Sequence, residues 1–210
     1  MTLNKPQKNI LLVEGNDDMH VVWHFWNHHH PGYQPFEIEV RGDIDKLIDA
    51  ISTDLKSPGR ETLGILVDSN DKPIDRWKSI AHRIKNAAEI QIPRKPKPNG
   101  TIINNVRPRI GIWLMPDNAS PGELEDFISR LVPEGDAIWP RANQYINEIP
   151  EGDRKFKERK ESKAKVHAWL ATRKEPHRMG TAITAGDLDL ATPIAKGFHR
   201  WLHQLFADTP

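Results

Sequence analysis

Two runs of this 210-residue chain end in oxygen-bearing side chains that could hold a cation. In Ile10-Leu11-Leu12-Val13-Glu14-Gly15-Asn16-Asp17-Asp18, four apolar residues deliver one carboxylate, a glycine and then two more carboxylates. In Gly64-Ile65-Leu66-Val67-Asp68-Ser69-Asn70-Asp71, a second apolar run stops on acids and an amide just before Pro73. Asp68 and Asn70, at i and i+2, point to the same side of an extended chain and can grip one ion together. Gly15 lets the backbone turn closely after Glu14, before Asp18 opens a helix. Each cluster alone has a plainer reading: Asp17 or Asp18 as a helix cap with Glu14 on the surface, and the second cluster as turn formers. Two such strand ends in one chain point instead to a shared site.

The chain has no cysteine, which removes disulfides, thiolate metal sites and thiol nucleophiles and leaves carboxylates, histidines and hydroxyls. His28, His29 and His30 are adjacent, so they cannot all face one ion from a regular helix; they are expected to form a solvated helix end before Pro31. His20 and His24 have the i, i+4 spacing of metal ligands, but Val21, Val22, Phe25 and Trp26 around them favour a packed helix. Asp187 and Asp189 are expected to mark a helix boundary. A formal charge of +1 means that any attraction to nucleic acid must come from segregated charge. Residues 93–109 hold Arg94, Lys95, Lys97, Arg107 and Arg109 with no acid, and residues 154–165 hold seven cations, among them Lys155, Lys157 and Lys160, against Glu158 and Glu161. Such runs are most often solvated faces; beside an acidic site they could also track phosphates.

These side chains need a scaffold, and the apolar pattern supplies one. Strand-like runs at 10–13, 36–40, 64–67 and 110–115 alternate with helical patterns at 18–27, 44–52, 74–87 and 122–131. The first and third runs are almost wholly apolar, as central parallel strands covered on both faces should be, so the expected fold is an open α/β sheet. Ligands of such sheets sit at strand C-termini, where both acid clusters lie. The proline-rich stretch 91–108, with Asn99-Gly100 as a turn signal, is expected to be a protruding hairpin or a disordered basic insertion. Beyond residue 133 the rhythm gives way to helices at 141–149, 156–171 and 192–206, the last with Phe198, Trp201 and Phe206 in an aromatic stripe destined for the core. The expected division is an α/β domain over 1–133 and a helical extension over 134–210 packing on it. No apolar run approaches the roughly 20 residues of a membrane span, and residues 1–8 lack the order of a signal peptide, so the expected location is cytoplasmic.

At Glu14, Gly15 and Asp18, and again at Asp68 and Asn70, the chain resembles the Toprim domain of topoisomerases, bacterial primases and related nucleases. The signature of that superfamily is a strand ending Glu-Gly-x-x-Asp and a later strand ending Asp-x-Asp. The resemblance covers about residues 9–130 and implies a Toprim, Rossmann-like, mostly parallel sheet flanked by helices. It implies Glu14 as catalytic acid or base and Mg²⁺ or Mn²⁺ on Asp68. Asn70, Asp71, Asp18 and Glu125 complete the candidate metal ligands. Asn70 departs from the pattern: its amide oxygen can ligate but brings no charge, which Asp71, Glu125 or Asp126 would have to supply. The segments 113–118 and 121–126 also look like a small uncharacterised group of stand-alone bacterial Toprim proteins.

The resulting expectation is a metal-dependent phosphodiester enzyme of nuclease type, with nucleic acid as candidate partner at Arg94, Lys95, Lys97, Lys155, Lys157 and Lys160. Tyr33 and Tyr145 lie in no setting for covalent strand cleavage. The rival is a non-catalytic Toprim module that binds nucleic acid or a protein, which Asn70 favours. A phosphate-ester or receiver-like domain comes third, because Gly15 stands where a receiver's second acid belongs and no phosphate-cradling glycine loop is present. Sequence leaves the oligomeric state undetermined.

Overall fold

A computed structural model describes residues 8–207; of the leader reading over residues 1–8, only Lys8 falls among them. Five strands, β1 (Asn9–Val13), β2 (Glu37–Val40), β3 (Thr62–Asp68), β4 (Thr101–Ile103) and β5 (Arg109–Met115), form one sheet in the order β2-β1-β3-β5-β4. All neighbours are parallel except β4, which pairs antiparallel with β5 at the edge. Helices α1 (Asn16–His29), α2 (Ile44–Leu55), α3 (Pro73–Ala88) and α4 (Leu124–Ser129) each follow a parallel strand. The fold is the expected mostly parallel α/β sheet.

Side chains alternate across the pleat, and the two faces build two cores. Ile10, Leu12, Leu63, Ile65, Val67, Ile110, Ile112 and Leu114 face α2 and α3, where Leu47, Ile51, Trp77, Ile80 and Ile84 are buried. Leu11, Val13, Leu66, Trp113 and Met115 face the other way, onto Val21, Val22, Phe25 and Trp26 of α1. With both faces covered, the central strands carry only apolar side chains and glycine between their polar first residues and their C-terminal ends.

The C-terminal helices are α5 (Trp139–Glu148), α6 (Glu161–Leu170), α7 (Met179–Ala185) and α8 (Pro193–Phe206). They share the core of α1 and finish the layer that α1 begins. Gly64 and Gly111, paired in register on β3 and β5, open a trough on that face. A Cβ on Gly111 would stand 2.2 Å from Leu205 Cδ2, and one on Gly64 would stand 2.9 Å from Phe206 Cζ. The end of α8 therefore rests on bare backbone. On α1 the close partner is α7, where a Cβ on Gly180 would meet the His20 carbonyl oxygen at 2.6 Å.

Residues 91–108 depart from the expectation of a protruding hairpin or disordered insertion. Thr101 to Ile103 pair with Ile112 to Ile110 as an edge strand, so the hairpin is part of the sheet and its connection is 104–108. Asn99-Gly100 precedes β4 rather than joining two strands. Gly100, at φ +79°, is buried against Trp201 and Trp113. The physical reason is apolar: Trp201 needs cover, and the glycine gives it.

Gly100→Ala tests that seat, since a Cβ there would fall 2.3 Å from Trp201 Cδ1 on a backbone that disfavours side chains. The variant should lose about 1–3 kcal/mol in urea unfolding. An unchanged midpoint would show that Trp201 is not held by this turn.

Candidate functional site

Parallel pairing of β1 with β3 brings their C-terminal ends to one edge of the sheet, and β5 delivers the loop that follows it to the same edge. Glu14 is the residue after β1, and Asp68 is the last of β3. Across 54 positions of sequence, the Glu14 carboxylate Oε1 accepts the Asp68 backbone N–H at 2.9 Å. Asp18, in the first turn of α1, turns its carboxylate back to accept the Gly15 N–H at 2.9 Å. Asn70, at φ +50°, exchanges both backbone hydrogen bonds with Gly122, each 2.9 Å. That bridge clamps the end of β3 to the segment that carries Glu123 and Glu125. Ser69 adds a hydroxyl donated to the Ser120 carbonyl at 2.9 Å.

The outcome is a cluster of five acids, Glu14, Asp18, Asp68, Glu123 and Glu125, of which Asp18, Glu123 and Glu125 are buried. Asp68 Oδ1 is buried and has no hydrogen-bond partner. Burial, reinforced by the charges of Asp18, Glu14, Glu123 and Glu125, holds the Asp68 carboxyl well above the ordinary aspartate range. Burial pushes Asp18 up to about 7, with Glu14 and Glu125 adding to it and the Gly15 N–H opposing. Glu14 is raised by burial too, against the Asp68 N–H, Arg76 and Lys160, which favour its ionised form.

Three cations answer this concentration of acid. Lys160 Nζ lies 2.5 Å from Glu123 Oε2 and Lys163 Nζ lies 2.6 Å from Glu125 Oε1. Arg76 Nε donates to the Asp68 carbonyl at 3.2 Å. With its amide oriented to satisfy both neighbours, Asn70 donates to Glu123 Oε1 at 3.1 Å and accepts from Arg76 Nη2 at 3.0 Å. Ser162 donates to Asp126 Oδ1 at 2.5 Å, so α6 and the residue before it touch the acid segment at three points. A cleft of about 330 Å³ opens beside the cluster, walled by Asn70, Asp71, Gly122, Glu123, Arg159 and Ser162.

Of the residues singled out in the sequence, Glu14, Asp18, Asp68 and Glu125 come together, and Asn70 sits at their margin. Asp71 is exposed on the cleft wall. Lys155 and Lys157 are exposed on the approach to α6, and neither has an ion pair among the described residues, whereas Lys160 is engaged by Glu123. Arg94, Lys95 and Lys97 are exposed on the segment leading into β4, beside the far strand of the sheet. Among the described residues, no three His, Asp or Glu side chains converge on one point as they stand. Arg76 was missed, and Lys163 was read only as one of the cations of the 154–165 run. Their only signal was position: Arg76 lies one turn into the helix after Asp68, and Lys163 lies in a run that otherwise resembles a solvated face.

A model of the family described as a protein of unknown function, DUF3226, matches residues 8–207. No curated protein and no solved structure matches the chain.

The raised carboxyls have a signed consequence for stability. An acid whose folded-state value exceeds its unfolded value binds its proton more tightly when folded, so its contribution is lost as pH rises between the two. For Asp18 that window runs from 3.8 to about 7. Histidines held below their ordinary value, such as His29 at about 4, run the other way over part of that window, so the comparison needs a variant. The stability of Asp18→Asn minus that of the native chain should grow as pH rises from 4 to 7, by at most ~1.4 kcal/mol per unit. Urea titrations across that range check it; a constant or shrinking difference would mean that Asp18 is not held protonated by the fold.

Proposed function

We propose that this chain, which belongs to the DUF3226 family, is a metal-dependent phosphodiester-processing enzyme, most simply a Toprim-type nuclease. The observation that carries the reading is the buried, unpartnered Asp68 Oδ1 at the centre of four further acids. Burying like charges at one strand end costs stability unless a cation rewards it. The donors are all hard oxygens, which suit Mg²⁺ or Mn²⁺, and Asp68, Asp18 and Glu125 would hold the ion. Such an ion, when bound, supplies charge for phosphate oxygens and a more acidic water.

The remaining roles fall to the chain's own residues. Glu14, raised above the ordinary glutamate range by burial yet steadied by the Asp68 N–H, suits proton exchange with a water or a leaving oxygen. Its Oε1 is held by backbone, so the base stays fixed relative to β3. Lys155 and Lys157 stand free at the flank to meet phosphates that the acids alone would repel.

A second reading, a non-catalytic module that binds nucleic acid or a protein, draws on Asn70. Its amide is already spent on Glu123 and Arg76, so the residue replacing the second acid of the Toprim pattern serves local order.

Three variants separate the readings. Asp68→Asn should raise the melting temperature of the metal-free chain, by relieving buried charge, while abolishing Mn²⁺ binding in calorimetry; a fall in both would make the carboxylate structural. With Mn²⁺ and labelled DNA or RNA, the native chain should cleave and Glu14→Gln should cut the rate by about 100-fold or more. Nucleic-acid binding without cleavage in the native chain would select the module. Asn70→Asp should tighten Mn²⁺ binding, and unchanged or weaker affinity would remove residue 70 from the ligands.

A further inference from the structure

The histidine run at the end of α1 is not the solvated helix end expected from sequence. His28 is exposed, but His29 and His30 turn onto α8. His30 stacks on Trp26 with ring centres 4.2 Å apart, and its Nε2 lies 3.0 Å from Nε2 of His199. His203 follows one turn later on α8. The three rings form a near-equilateral set: His30 to His199 is 5.2 Å, His30 to His203 is 5.3 Å and His199 to His203 is 5.9 Å between centres.

Three imidazoles this close lie within reach of a known chemical requirement. With metal–nitrogen distances near ~2.0–2.1 Å and tetrahedral angles, imidazoles sharing one ion have nitrogens roughly 3 Å apart and ring centres roughly 5 Å apart. His199 and His203 also have the i, i+4 spacing that aims two imidazoles from one helix face. We propose that His30, His199 and His203 form a binding site for a borderline divalent transition metal of the zinc class, joining the end of α1 to α8. As they stand, the Nε2 atoms of His30 and His199 meet head to head in a hydrogen bond, 3.0 Å apart with ring centres 5.2 Å apart, so all three rings must turn before their nitrogens share one point.

Two further observations fit. The rings are partly exposed, so an ion can reach them from solvent. His29 places a buried, unpartnered Nε2 in a ring whose centre lies 4.0 Å from that of His199. It is a reserve donor beside the same rings. The site is built from nitrogen, and the acid cluster from oxygen, so the two differ in the ions they favour.

The test is titration of the full-length, untagged chain with Co²⁺ followed by its d–d absorption, and with Zn²⁺ by calorimetry. One equivalent should bind with the intense visible bands of a tetrahedral nitrogen site and should raise the melting temperature. His199→Gln and His203→Gln should each weaken binding by about tenfold or more, while the exposed His28→Gln and the acid-site Asp68→Asn leave it unchanged. No saturable binding would overturn the proposal, as would affinity indifferent to His199→Gln or lost in Asp68→Asn. Circular dichroism of each variant identifies any that has failed to fold; the intact one of the His199 and His203 pair then decides.

Discussion

Buried like charge is the constraint from which the rest of this structure follows. Glu14, Asp18, Asp68, Glu123 and Glu125 converge where three parallel strands end, and burial drives Asp18 and Asp68 far from their ordinary ionisation. Electrostatics alone would scatter them. They stay because the strands that carry them are locked by apolar packing on both faces, and because Gly15, Asn70 and Gly122 shape the turns that bring the carboxylates back over the sheet edge. The cations then arrive as a second layer: Arg76 from α3, and Lys160 and Lys163 from the approach to α6 and α6 itself.

That second layer explains why the C-terminal helices are more than an appendage. α8 fills the trough left by Gly64 and Gly111 and so completes the core on the α1 side. α6, sharing that core through Val166, Trp169 and Leu170, is thereby fixed with Lys163 facing the acids. Packing at one end of the helical extension sets electrostatics at the other. Burying a side chain such as Leu205 contributes about 1.5–3 kcal/mol, which helps to offset the cost of holding the raised carboxyls in place.

The α/β rhythm was legible because its strands are short, apolar and separated by amphipathic helices, and the acid pair was legible because each member ends such a strand. What was not legible depended on tertiary partners. β4 carries only three ladder residues, and its place is dictated by β5 and by Trp201 rather than by its own pattern. α7 is seven residues long, too short for periodicity to declare itself. The lysines of 154–165 looked uniform in sequence, yet Lys160 and Lys163 face acid while Lys155 and Lys157 face water, a distinction made by which side of α6 and its preceding turn meets the sheet edge. The histidines of 28–30 concealed their partners because those lie 169 residues away in the case of His30 and His199.

The Glu14 bond to the Asp68 amide spans 54 residues, and the Lys160 and Lys163 pairs close loops of 37 and 38. Asp18 turns back to Gly15 locally, but no segment of the chain can assemble the whole cluster by itself, because the pairings that join β1, β3 and α6 need long-range closure, which is entropically costly. A ligand that binds there must stabilise the molecule as a unit, because no partly folded fragment offers it a seat.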